Sequence, residues 1–165
     1  MNNIQIFVTG GTFDKTYDYI NGKLYFEETH IPNMLKRARC KLKVQIKQLM
    51  LLDSLEMRNA HLKKIGKACV KSNSNYIVIT HGTDKMTDTA KYLINLNIKE
   101  KVIILTGAMV PYAFGSSSDG FFNLGCALSL VQTLNYGVYI TMHGQIFEGD
   151  KVIKDLKNGV FNSKN

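Results

Sequence analysis

The sequence predicts a three-layer α/β sandwich: one doubly wound, mainly parallel sheet with helices on both faces, built as a single domain over residues 1–165. Short apolar runs bounded by turn residues recur along the chain and alternate with stretches of helical spacing, and the length suits one hydrophobic core. Strands joined in this way need crossovers. Right-handed crossovers place the helices on both faces of a parallel sheet.

The first strand is read at residues 4–8, where only Gln5 interrupts the apolar run, and it leads into Thr9-Gly10-Gly11-Thr12. Residues 13–26 lack helical periodicity and contain Asn21-Gly22, a strong hairpin-turn signal. Two readings stay open for them: a mobile lid hinged at Gly10 and Gly11, or an exposed hairpin whose Tyr17, Tyr19 and Tyr25 pack on the domain or on a partner. The basic run at 36–47 reads as a solvated helix end followed by an exposed strand face, the second strand being placed at 44–49. Leu62, Ile65 and Cys69 have helical spacing.

The third strand, 76–80, ends in His81-Gly82-Thr83-Asp84, and a helix follows with Met86, Ala90, Leu93 and Ile94 on one face. The fourth, 102–105, runs into Thr106-Gly107-Ala108-Met109. Ser116, Ser117 and Ser118 form a polar capping loop before a helix at Asp119, which carries Asn123, Ala127, Leu130, Val131 and Leu134 and is expected to stop near Gly137. The fifth strand is 138–142. Pro32 and Pro111 fall at punctuation points, and no repeat or linker interrupts the pattern.

Composition narrows the function. Hydrophobic residues are 45%, charged residues 21% and the mean hydropathy is −0.09, which excludes a disordered chain. Three cysteines, Cys40, Cys69 and Cys126, form no CxxC pair, so neither a disulfide framework nor a zinc ribbon is expected and a reducing compartment fits. With no leader and no run long enough to span a bilayer, the chain is expected to be cytoplasmic with no membrane partner. The 21 Lys and Arg exceed the 13 Asp and Glu by 8, but they are spread over several segments, so nucleic acid is not expected as a partner. No cofactor is expected, since GxGxxG and GxxxxGK[ST] are both absent, and no metal, since His30, His61 and His143 lack ligand spacing. His81 is expected to bond loop backbone.

In a doubly wound sheet, ligands bind where loops leave the carboxyl ends of the strands, and here those loops are rich in glycine and threonine. Thr12 is either a turn residue or a nucleophile, and Thr83 with Asp84 is either a helix cap or a hydroxyl and carboxylate facing a substrate. Each motif alone favours the plainer role.

Together, Thr9-Gly10-Gly11-Thr12, His81-Gly82-Thr83-Asp84, Thr106-Gly107-Ala108-Met109, Asp119-Gly120 with Asn123, and Glu148-Gly149 ahead of Lys154 resemble the N-terminal domain of bacterial-type L-asparaginases. The motifs come in family order over nearly the whole chain. The resemblance implies a Rossmann- or flavodoxin-like sandwich and an amidohydrolase that converts L-asparagine to L-aspartate and ammonia with threonine rather than a metal. It implies Thr12 as nucleophile in the loop of Gly11, Tyr19 as lid tyrosine, Thr83 polarised by Lys154, Asp84 receiving the α-ammonium, Ser54 holding the α-carboxylate, and Ala108 as a further binding position.

Departures from the family pattern mark this chain. The chain ends at Asn165, so the usual second domain, whose acidic residue reaches a neighbouring subunit's site, is expected to be absent and the chain resembles the short single-domain asparaginases; Glu27, Glu28 or Glu56 could supply the acid instead. Leu55 and Lys85 stand where many members are polar and where threonine is common. A homo-oligomer, dimer or tetramer, is expected. Two other functions compete: a non-catalytic amino-acid-binding or partner-recruiting module on the same fold, and an amidotransferase component acting on aminoacyl-tRNA.

Overall fold

The computed structural model describes residues 3–164. The chain passes through β1 (Asn3–Gly10), the hairpin β2 (Lys15–Asp18) and β3 (Lys23–Phe26), α1 (Ile31–Arg37), β4 (Lys43–Leu52), α2 (Asn59–Lys71), β5 (Tyr76–Thr80), α3 (Met86–Asn95), β6 (Val102–Thr106), α4 (Gly120–Leu130), β7 (Gly137–Met142), β8 (Gln145–Glu148), and a closing hairpin of β9 (Val152–Asp155) and β10 (Val160–Ser163). The main sheet has the order β4-β1-β5-β6-β7-β8. Its first five strands are parallel and β8 turns back antiparallel on β7. That is a flavodoxin-like order with an added edge strand.

Alternation along each strand divides two cores. Phe7, Ile77, Ile79 and Ile103 face α2 and α3, whose Ile65, Cys69, Ala90 and Leu93 cover them. Ile4, Ile6, Val78 and Ile104 face α1 and α4, which contribute Ile31, Met34, Leu124 and Ala127. The central strands β5 and β6 are buried on both faces, which is why they read as unbroken apolar runs.

The helix expected to run to Gly137 stops at Leu130. Its last turn tightens, with the Gln132 and Thr133 amides reaching back three residues to Ser129 and Leu130, and Val131 and Leu134 reach the core from turns. Gly137 opens β7 instead, its N–H bonded to Lys101 O at 2.9 Å. At the other end of α4, Ser118 Oγ accepts the Gly120 N–H at 3.0 Å while the Asp119 carboxylate is spent elsewhere. The exposed hairpin spans 15–26, starting later than the segment 13–26 read from sequence, because Phe13 and Asp14 are fully buried. Among the described residues no helix is long and apolar enough to cross a membrane.

Candidate active site

The strand order reverses direction at β1 and β5, because the chain leaves β1 for β4 on one side and β5 for β6 on the other. At such a point a ligand site is expected outside the carboxyl ends of the strands. Four loops meet there. Gly10 and Gly11 lie at φ 95° and 77°, and a Cβ on Gly11 would collide with the Gly82 backbone, as one on Gly10 would with Leu52. Gly11 N–H bonds Leu52 O at 2.9 Å. These glycines are therefore contact points between loops.

The next contact is equally close: a Cβ on Gly82 would fall 2.5 Å from Ser54 Oγ. One on Gly107 would strike His81 O and come within 3.4 Å of Thr83 Cγ2. Thr12, Ser54, Thr83 and Ala108 thus sit on touching loops. Thr12 opens a short 3₁₀ turn, half-buried, and its side chain makes no hydrogen bond among the described residues. Ser54 Oγ is fully buried and has no partner among the described residues. An orphaned buried hydroxyl costs free energy unless something binds it.

Lys154 reaches the same place from β9. Its Nζ donates to Thr83 Oγ1 at 2.8 Å and to Asp84 Oδ1 at 2.5 Å, and its side chain is only 9% exposed. The ion pair offsets the cost of withdrawing the ammonium from water, and the same ammonium polarises the Thr83 hydroxyl. β9 is held for this by its partner β10, where Phe161, paired with Lys154, is buried.

Behind the loops, buried polar side chains lock the backbone. His81 is wholly enclosed, with Nδ1 bonded to Gly82 O at 2.7 Å and Nε2 to the Thr89 hydroxyl at 2.8 Å. Burial pushes its pKa down to about 4, so it is a neutral brace. The Asp119 carboxylate accepts the N–H groups of Met109 and Val110, and Asn123 ties it to Gly107 O and to the His143 N–H.

Lys15 pairs with Asp53 at 2.5 Å, tying the β2–β3 hairpin to the Ser54 loop. Burial alone would raise Asp53, but the Lys15 ammonium and the Leu55 N–H hold it below the usual carboxylate range. Asp14 shows the opposite balance. Burial lifts its carboxyl despite bonds from the Thr29 hydroxyl and the His30 N–H. Neither acid announces its role in the sequence, since the partners lie 15 to 38 residues away.

Other expected residues stand apart. Tyr19 is 84% exposed at the hairpin tip and bonds nothing in the threonine loop, while Tyr17 packs edge-on against Phe114. Ala108 is buried, so its own contribution to a ligand is limited to backbone. Glu27 and Glu28 are exposed beyond the hairpin, whereas Glu56 lines a hollow of about 740 Å³ beside Ser54, together with Leu55 and Lys85.

A family model described as Asparaginase, N-terminal matches residues 3–163. The chain belongs to the asparaginase family. This asparaginase-family chain is 34% identical over 166 residues to L-asparaginase 2 of Escherichia coli, with 92% of it and 46% of that protein covered. It is 32% identical over 170 residues to a subunit of the glutamyl-tRNA(Gln) amidotransferase of Methanococcus maripaludis, covering 93% of this chain and 40% of that one. Among solved structures, a probable cytoplasmic L-asparaginase from Campylobacter jejuni superposes with a TM-score of 0.83 at 31% identity, over 99% of this chain and 53% of that one. The chain spans about half the length of the first relatives it matches.

Proposed function

We propose that this chain is an L-asparaginase-type amidohydrolase, releasing ammonia and L-aspartate from L-asparagine. The observation that carries the reading is the buried Lys154 ammonium bonded to both Thr83 Oγ1 and Asp84 Oδ1 where the loops after β1, β4, β5 and β6 meet. In this reading Thr12 Oγ1 attacks the side-chain amide carbon and the carbonyl oxygen becomes an oxyanion facing backbone N–H groups. Collapse breaks the C–N bond, the proton that Thr12 Oγ1 gives up is passed through Thr83 and Lys154 to the departing nitrogen as ammonia leaves, and water then cleaves the Thr12 ester, releasing aspartate and restoring the hydroxyl. The orphaned Ser54 hydroxyl suits an α-carboxylate, and Asp84 suits the α-ammonium. The relatives named L-asparaginase and glutaminase-asparaginase support an amide substrate of this size. Tyr19 would approach Thr12 through a swing of the β2–β3 hairpin. Three free cysteines support a reducing, cytoplasmic setting, and exposed Phe114, Phe121 and Phe122 support self-association.

A coupled ammonia assay with L-asparagine and L-glutamine tests this. Wild type should release ammonia from asparagine, and Thr12→Ala, Thr83→Ala and Lys154→Met should each lose about 10² to 10⁴ in kcat. No turnover by wild type, with Thr12→Ala binding asparagine as tightly as wild type, would replace the enzyme with an amino-acid-binding module.

A further inference from the structure

One part of the chain carries all of its net charge. Residues 29–82 hold eleven Lys and Arg against two Asp and Glu, whereas the remaining residues hold ten against eleven. From sequence, the run at 36–47 is a solvated face. Folding joins part of it to lysines from another element.

β4 is an edge strand, and Lys43 and Lys47 stand exposed on its same face. Opposite them α2 presents Lys64, Lys67 and Lys71, one row at helical spacing. Between the two elements runs a groove of about 380 Å³ lined by Gln5, Gln45, Lys47, Lys64, Lys67 and Lys71. No carboxylate lines it, and among the described residues none of these lysines enters an ion pair. Lys64 is steadied by Leu49 O at 2.6 Å. Four ammonium groups around one groove repel one another, and a polyanion would relieve that repulsion. None of Thr12, Ser54, Thr83, Asp84 or Lys154 lines this groove, so its occupant need not displace an amide substrate.

Its shape selects among polyanions. Lys43 and Lys47 span about 13 Å of strand, and Lys64 to Lys71 about 10 Å of helix. Over about 13 Å of axis a duplex presents about four phosphates per strand. A compact phosphate compound would call for arginine forks or a helix N-terminus, but the groove offers lysines and the C-terminal half of α2. A single strand would call for exposed aromatic faces, and the one aromatic beneath the groove, Phe7, is 2% exposed. We infer that this groove docks the phosphodiester backbone of duplex nucleic acid without reading its sequence.

Fluorescence anisotropy with a short labelled RNA duplex tests the assignment. Wild type should bind with a Kd of about 1 to 100 μM, weakening steeply between about 50 and 200 mM salt. Lys64→Glu/Lys67→Glu/Lys71→Glu should weaken binding at least about tenfold and flatten the log–log salt slope by about 3. Lys99→Glu/Lys157→Glu/Lys164→Glu makes the same charge change outside the groove and should cost less than about threefold. All six side chains are exposed, so circular dichroism should show both variants folded. Equal losses in the two variants, or retained affinity in the first, would overturn the groove. Displacement of the duplex by polyglutamate at equal charge would overturn nucleic acid in favour of an acidic protein.

Discussion

Ser54 concentrates the tension between stability and binding at one side chain. Its hydroxyl is buried, unpartnered among the described residues and pressed toward the carbon that Gly82 lacks. A group in that position costs about 1 to 3 kcal/mol when nothing bonds it. Ser54→Ala should therefore leave the unfolding free energy unchanged or raise it by up to about 1 kcal/mol. The same change should raise KM for asparagine at least about tenfold, with a smaller effect on kcat, because a carboxylate contact made equally in ground and transition states acts on binding. Urea denaturation and steady-state kinetics on one preparation read both. A drop in stability with KM unchanged would make Ser54 a plain packing residue. Gly11 is likewise set by its surroundings, since no side chain fits between two touching loops.

The hairpin that carries Tyr17 and Tyr19 is a separate matter, because a two-stranded ribbon is marginal by itself. Its ties to the domain are the Lys15–Asp53 pair, the Thr16–His30 bond at 3.3 Å and the Tyr17–Phe114 edge contact. Lys15→Met should speed amide exchange in residues 15–26 by about tenfold while shifting global stability by less than about 1 kcal/mol. Unchanged exchange would show that the remaining ties suffice. The parallel strands were legible as apolar runs, the central ones most plainly because burial on both faces leaves no alternation to confuse, and β5 coincides with residues 76–80. β8, β9 and β10 were not legible: each is four residues long, and β8 depends on a turn at His143-Gly144, both at positive φ, that carries no Asn-Gly or Asp-Gly signal. The seven-residue α1 is too short to show a period. Glycine and threonine at strand ends marked the loops that touch at the carboxyl edge of the sheet. The 2.8 Å approach of Lys154 to Thr83 spans 71 residues, and only the resemblance to a family suggested it.

Over the whole molecule, pH acts through the buried histidine that braces the central loops. His81 has an ordinary pKa of 6.5 and a folded value of about 4. Between those values the unfolded chain binds a proton that the folded chain refuses, so stability rises with pH across that window. The contribution is complete above pH 6.5 and is lost on the way down to about 4, by as much as about 3 kcal/mol. Asp14 works in the other direction, because burial raises its carboxyl and acid relieves that cost. Asp53, held low by Lys15, loses its contribution only as pH falls through the carboxylate range. Urea unfolding at pH 7 and pH 4.5 should therefore show a marked loss for wild type and a much smaller one for His81→Gln, whatever the two proteins' stabilities at neutral pH. Parallel losses in both would shift the acid sensitivity from this histidine to the carboxylates.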